Sequence, residues 1–394
     1  MRIMVLGTGL QGRAALYDLA RSPEVTGAIA ADSHLEGLRP FLERLEAAGT
    51  IPAGKIELAQ VNAEDEEQVA RLLRAVDCVI DLLPTPFHTQ ITRLAIENGA
   101  HLVNASYVTP AMRQLGQRAA EEGLAVLPEF GFDPGIDLVL AGQAVQELDE
   151  VQVYLSYGAG FPEPGAGDNP LRYKISWSFA GVLQAYTRQG RVVREGQVVE
   201  VPGNEIFAPA NTHVLEVEQW GPLEAYPNGD VVPYLDELGI RESVRSAGRF
   251  SLRYPGHCAF WHALAQLGFL DDKPVEVQGA QVVPRAFLQS LLEPQLQYTG
   301  DERDVALLRV EVSGRKGGQP RHLVYQVSDL RDRQSGLLAM NRLVGFTASI
   351  GAQMILSGAI SKRGLVSPLC AVPAGRFLKE LAMRGIQVQR RELL

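Results

Sequence analysis

The chain has 394 residues, of which 46% are hydrophobic and 21% charged, the make-up of an ordinary globular protein with apolar material for two or more cores. A formal net charge of −9 argues against a nucleic-acid partner and against polybasic attachment to a membrane. Three widely spaced cysteines, Cys78, Cys258 and Cys370, favour reduced thiols in a cytoplasmic setting over a disulfide framework or a metal site; no run is apolar for long enough to span a membrane, and the apolar start is too short for a signal-peptide core.

Arg2 to Leu6 reads as a buried strand, and it leads through Gly7-Thr8-Gly9-Leu10-Gln11-Gly12 into a helix over Arg13 to Arg21. Strand, GxGxxG and helix in that order form the dinucleotide-binding fingerprint. Gly7 suits the tight turn, Gly9 admits a pyrophosphate to the backbone, and Gly12 lets the helix press on the strand. A second strand, Val25 to Ala31, ends at Asp32, about twenty residues beyond the motif, where a carboxylate can accept hydrogen bonds from ribose hydroxyls and repel a 2′-phosphate. That predicts NAD in preference to NADP.

Further helix and strand patterns alternate: a helix over Leu35 to Ala48, a strand over Ile56 to Val61, an acid-started helix to Ala75, and a strand over Val76 to Leu83. Leu83-Pro84-Thr85-Pro86 then forces a loop at the edge where a nicotinamide would lie. A helix over Thr89 to Asn98 and a strand over His101 to Asn104 follow, the strand ending in Ala105-Ser106-Tyr107 at the same edge. His88 and His101 are assigned solvated or capping roles. Val126-Leu127 ends the alternation, and Pro128 to Asp137, with Gly131, Phe132 and Asp133, forms a polar joint facing the ligand edge.

The texture then changes to Pro- and Gly-punctuated strands. Asp133-Pro134-Gly135-Ile136-Asp137, Ser156-Tyr157-Gly158, Asn169-Pro170-Leu171 with Tyr173-Lys174, and Ser176-Trp177-Ser178 resemble the glutamate-forming saccharopine dehydrogenase (saccharopine reductase) family. So do Ala225-Tyr226-Pro227-Asn228, Leu252-Arg253-Tyr254 with Gly256, and the close around Gly351 to Ile360, so the resemblance spans essentially the whole chain.

The resemblance implies an α/β protein: a Rossmann NAD-binding domain over residues 1–133, joined by the C-terminal segment 335–394, and a mixed α/β substrate-binding and dimerisation domain over 134–334 built on an antiparallel sheet. Leu338 to Leu356, apolar and too long for a strand, agrees by needing a surface to cover. The resemblance places cofactor contacts on Gly7, Thr8, Gly9, Leu10, Gln11, Gly12, Asp32, Leu83, Ser106, Gly131, Phe132, Asp133 and Trp177. Substrate contacts fall on Ser106, Tyr107, Asp133 and Arg253. The expected reaction removes hydride from a carbon bearing an amine of an amino acid and hydrolyses the resulting imine, as part of lysine metabolism. Asp133 and His257 are the candidate acid–base groups, with Tyr107 as their hydrogen-bonding partner, and Arg172 and Lys174 are available to assist. A cytoplasmic homodimer is expected.

Two departures keep alternatives open. Gly229 stands where the resemblance expects an arginine for a substrate carboxylate, and His257 is closer to the lysine 6-dehydrogenases. Oxidative deamination of the lysine side chain is therefore the alternative activity, and a non-catalytic NAD(H)-binding protein the alternative from another class.

Overall fold

The computed structural model describes residues 1–393. In chain order, the first part contains β1 (Arg2–Leu6), α1 (Leu10–Arg21), β2 (Gly27–Asp32), α2 (Arg39–Ala47), β3 (Ile56–Gln60), α3 (Glu66–Leu73), β4 (Cys78–Asp81), α4 (His88–Glu97), β5 (His101–Asn104), α5 (Pro110–Glu121), β6 (Ala125–Leu127) and α6 (Ile136–Gln146). The middle holds β7 (Glu150–Pro162), α7 (Phe179–Ala185), β8 (Gly190–Arg194), β9 (Gln197–Val201), β10 (His213–Val217), β11 (Gly221–Pro227), α8 (Val232–Glu237), β12 (Ser246–Arg253) and α9 (His257–Gln266). After these come β13 (Val275–Val277), β14 (Ala280–Val282), α10 (Pro284–Leu292), β15 (Asp304–Lys316) and β16 (Gln319–Leu330). The chain closes with α11 (Ala339–Leu356), β17 (Gly364–Leu365), α12 (Pro368–Ala371), α13 (Ala374–Met383) and β18 (Val388–Leu393). Two compact units result: residues 1–142 with 332–387, and residues 143–331 with 388–394.

The first unit is a seven-stranded parallel sheet in the order β17-β6-β5-β4-β1-β2-β3. Strand order reverses between β1 and its neighbours β2 and β4, and such a reversal opens a ligand crevice at the strands' carboxyl ends. The central strands β1 and β4 are buried almost throughout, which is why they read as continuous apolar runs rather than alternating ones. Helix α1 comes close to β1 because Gly12 has no side chain: a Cβ there would lie 2.1 Å from the carbonyl oxygen of Gly7.

Helix α11 packs on α1, with Gly345 against the backbone of Gln11 and Ala15. A buried carboxylate fixes the contact. Asp18 of α1 accepts from Ser349 Oγ at 2.6 Å and from Arg384 Nε at 2.6 Å. The C-terminal segment nevertheless differs from expectation at its end. Val388 to Leu393 leaves the first unit and pairs antiparallel with β16, so this stretch belongs to the second sheet. Its charged side chains suit an edge strand: Arg390 bonds Glu147 at 2.6 Å and Arg391 bonds Glu218 at 2.8 Å.

The second unit is a nine-stranded sheet along β10-β11-β12-β7-β15-β16-β18, with β8 on β12 and β9 on β8. Its pairings are antiparallel except β12 with β7, which run parallel, making the sheet mixed. A core of Tyr173, Phe179, Tyr186, Phe207, Tyr226 and Trp261 builds on one face around α7 and α9.

The Gly345 contact yields the first prediction. A Cβ at this position would stand 2.5 Å from Gln11 O and 2.6 Å from Ala15 N, both backbone atoms that cannot step aside. Gly345→Val should lower stability by about 3 kcal/mol or more, read as a fall in the urea midpoint. An unchanged midpoint would show that α11 does not bear on α1 in this way.

Candidate active site

Along the carboxyl edge of the parallel sheet, β1 ends in Gly7 at φ +94°, a conformation that favours glycine, and a Cβ there would also meet the Leu82 carbonyl at 2.8 Å. Helix α1 begins at Leu10 behind Gly9, which has no side-chain cap, and a Cβ on Gly9 would meet nothing within 4 Å. Open space beside uncapped N–H groups at a helix N-terminus suits a pyrophosphate. Thr8 is buried in this turn, while Leu10 and Gln11 form the first turn of the helix.

Asp32, at the end of β2, is held by its own chain. Its Oδ2 accepts from Thr8 N at 2.6 Å and Thr8 Oγ1 at 3.1 Å, and its Oδ1 accepts from His34 N at 3.0 Å and Ser33 Oγ at 3.4 Å. Burial opposes the charge, but the bonds from Thr8, His34 and Ser33 outweigh it and hold the carboxyl below its usual range.

The next strands bring Leu83, Ser106 and Tyr107 to the same edge. Leu83 N donates to Asp81 Oδ1 at 3.1 Å, and Ser106 N donates to Asn104 Oδ1 at 3.0 Å. After β6 the chain returns beside Ser106, with Glu129 N donating to Ser106 O at 3.0 Å, and folds tightly through Gly131, Phe132 and Asp133. Phe132 is buried, whereas Asp133 and Tyr107 are half-buried. His88 is not solvated: it is 1% exposed, with Nδ1 at 2.7 Å from Asp81 Oδ2. His101 Nδ1 accepts from Ala125 N at 2.9 Å and ties β5 to the start of β6.

In the second unit, Arg253 ends β12 and is 7% exposed. Its guanidinium carbon lies 5.1 Å from the ring centre of Tyr173 and 5.9 Å from that of Tyr226, and Nη1 donates to Leu252 O at 2.7 Å. Nε is buried without a hydrogen-bond partner, and no carboxylate among the described residues pairs with this cation. Buried charges ordinarily come paired. An arginine framed by tyrosines and lacking an acid has donors left to pair with an anionic group.

Two assignments in this unit change, those of His257 and Lys174. His257 is 3% exposed, its Nε2 lies 2.8 Å from the Tyr186 hydroxyl, and Tyr173, Phe207, Tyr226 and Trp261 surround the ring. Burial, reinforced by Arg253, pushes its pKa well down, so it is a neutral core histidine that orients Tyr186 rather than an accessible acid–base group. Lys174 is engaged by Glu302 at 2.6 Å and Asp168 at 3.0 Å. Arg172 stacks over Tyr254 at 4.2 Å. Trp177 is 39% exposed and rests against Gly181. Gly229 has φ +84°, unfavourable to an arginine in the same backbone, and its neighbour Asp230 pairs with Arg191 Nε at 3.0 Å.

Comparison with known proteins accounts for both units. Residues 3–127 match the model of the saccharopine dehydrogenase NADP binding domain, and residues 131–386 that of the saccharopine dehydrogenase C-terminal domain. The chain belongs to the saccharopine dehydrogenase family. It is 28% identical to the saccharopine dehydrogenase [NADP(+), L-glutamate-forming] of Pyricularia oryzae, over 88% of this chain and 92% of that one. With the enzyme of the same name from Schizosaccharomyces pombe it shares 27% identity over 98% of both. The apo saccharopine dehydrogenase (L-Glu forming) of Saccharomyces cerevisiae has the same fold, with a TM-score of 0.84 over 100% of both chains at 24% identity.

These findings overturn the expectation of NAD. The family model covering the parallel sheet is that of an NADP binding domain, and both relatives carry NADP(+) in their names. The expectation treated Asp32 as a free acceptor for ribose hydroxyls, yet four donors of its own chain already occupy that carboxylate. The glycine turn and uncapped helix start of this saccharopine dehydrogenase family member fit a dinucleotide. The packing of tyrosines around Arg253 escaped the sequence reading, although Tyr173 is itself a motif residue. Tyr226 lies inside a quoted motif, but Tyr186 sits 67 residues before Arg253 with no local signal.

The neutral state of His257 has a consequence for stability. Below pH about 6.5 an unfolded chain protonates this histidine and the folded one does not, so acid favours unfolding through this group. His257→Gln should give a shallower fall in Tm between about pH 7 and pH 5 than the parent shows. Parallel Tm curves across that range would refute the assignment.

Proposed function

We propose that the protein is an NADP-dependent oxidoreductase of the saccharopine dehydrogenase type, acting on the CH–NH group of an amino acid in lysine metabolism. The observation that carries this reading is Arg253, a buried cation without an acid among the described residues, in a chain whose parallel-sheet unit has the turn of a dinucleotide site. The glutamate-forming relatives support the substrate class by their names.

The Gly7–Gly12 turn and the start of α1 hold the cofactor's phosphates. NADP, when bound, supplies the two-electron oxidant that accepts hydride from the carbon carrying the amine. Arg253 grips a substrate carboxylate, with Tyr173 and Tyr226 keeping water from the guanidinium. Asp133 takes the amine proton, and Tyr107 donates a hydrogen bond at the reacting nitrogen. Water then hydrolyses the substrate imine to a carbonyl and a free amine. Gly229, where the backbone disfavours a further arginine, supports a second reading in which the side-chain amine of lysine is oxidised.

The test is purified protein with NADP and either saccharopine or lysine, following reduced nicotinamide. Saccharopine should be the better substrate; faster turnover of lysine would transfer the assignment to the second reading, and no turnover of either would remove both. Arg253→Ala should lower kcat/KM by about 2–4 kcal/mol, roughly 30- to 1000-fold, with NADP affinity unchanged. Parent-like kinetics in that variant would exclude Arg253 from the substrate site.

A further inference from the structure

Among the described residues of the first unit, Arg13 is a partly buried cation that the reading above leaves without a task. Arg13 lies in the first turn of α1, directly after Gly12. Its guanidinium runs along the segment that follows β2. A Cβ on Gly37 would come within 2.6 Å of its Nη2, and its Cζ stands 5.8 Å from the centre of the Phe41 ring in α2. Nε is buried with no hydrogen-bond partner, and no salt bridge engages the group among the described residues. The opposite charge acting on it is Asp32, which lies beyond ion-pair distance and is already bonded to Thr8, Ser33 and His34.

Position gives this cation its meaning. In a sheet of this topology the adenosine ribose lies at the carboxyl end of the second strand, where Asp32 stands, and the cofactor's 2′ substituent points at the loop beyond it. Asp32, saturated by its own chain, offers little to a ribose hydroxyl, and because it stays charged a 2′-phosphate beside it needs a cation to offset the repulsion. A half-buried guanidinium with an unused N–H beside the same loop is short of an anion, and its planar fork matches phosphate oxygens two at a time.

We propose that Arg13 binds the 2′-phosphate of NADP and is the residue that sets cofactor choice in this chain. The proposal rests on the NADP reading and adds the residue that would enforce it.

Two probes that differ only in the 2′-phosphate test it: adenosine 5′-monophosphate and adenosine 2′,5′-bisphosphate, titrated calorimetrically into the full-length protein. The parent should bind the bisphosphate at least about tenfold more tightly. Arg13→Ala and Arg13→Gln should lose that margin while binding the monophosphate within about twofold of the parent; Arg13→Lys, which keeps the charge without the fork, should retain part of it. The glutamine variant preserves the length of the side chain over Phe41, so the comparison survives if the alanine variant folds poorly. A parent that does not distinguish the two probes has no 2′-phosphate site, and the NADP reading and this proposal fall together. A parent that distinguishes them, with variants that do so equally well, leaves the NADP reading standing and removes Arg13 from it. Loss of both ligands together in Arg13→Gln would mark the side chain as support for α1 and also overturn the assignment.

Discussion

Everything at the nucleotide end depends on backbone meeting backbone around α1. The helix can start at Leu10 and lie against β1 only because Gly12 brings no side chain to the Gly7 carbonyl. On its other side, Gly345 admits α11 to the backbone of Gln11 and Ala15. Close contact on both flanks holds the uncapped N–H groups in place without help from a capping side chain. A preorganised set of donors loses little freedom when an anion arrives, so binding strength is not consumed in ordering the turn. Asp18, bonded to Ser349 and Arg384, fixes α11 and α13 to the same helix by charge-assisted bonds.

The second unit solves a different problem, that of keeping a charge out of water without cancelling it. Arg253 is surrounded by the rings of Tyr173 and Tyr226, whose faces attract a cation modestly, and no acid among the described residues neutralises it. A carboxylate partner would have stabilised the free protein and competed with any anionic ligand. Lys174 shows the contrast: Glu302 and Asp168 satisfy it, and it offers nothing further. His257 remains neutral chiefly because burial in this aromatic core disfavours a charge, and Arg253 beside it adds repulsion.

What could be read in advance was what is encoded over short spans. The run into Gly7, the spacing to Asp32, the prolines after Leu83 and the apolar length of Leu338 to Leu356 each report local geometry. What could not be read depends on partners distant in sequence or on bonds within a loop. Asp32 was legible as a carboxylate at the right place, but the Thr8 and His34 bonds that occupy it belong to tertiary geometry. His257 sits on a Pro-Gly corner that reads as surface; only Tyr186 and Trp261, packed against it from other segments, make it core. His88 reads as a solvated or capping histidine, yet it is buried against Asp81 at the end of the neighbouring strand. Val388 to Leu393 is so charged that nothing marks it as a strand until β16 lies alongside.

The chain's path has a consequence in time. The sheet edge strand β17 and the helix α11 that covers α1 are encoded after the whole of residues 143–331. During synthesis at about 10 residues per second, the nucleotide unit therefore waits roughly 20 seconds for its own last pieces. Throughout that interval the α1 surface that receives Gly345, and the open edge of β6, face the surroundings of a nascent chain. The second unit has a shorter wait of the same kind, since β18 is encoded only after residues 332–387 of the first unit. Neither unit can be completed from one uninterrupted stretch of polypeptide, so synthesis halted between residues 332 and 387 leaves both unfinished.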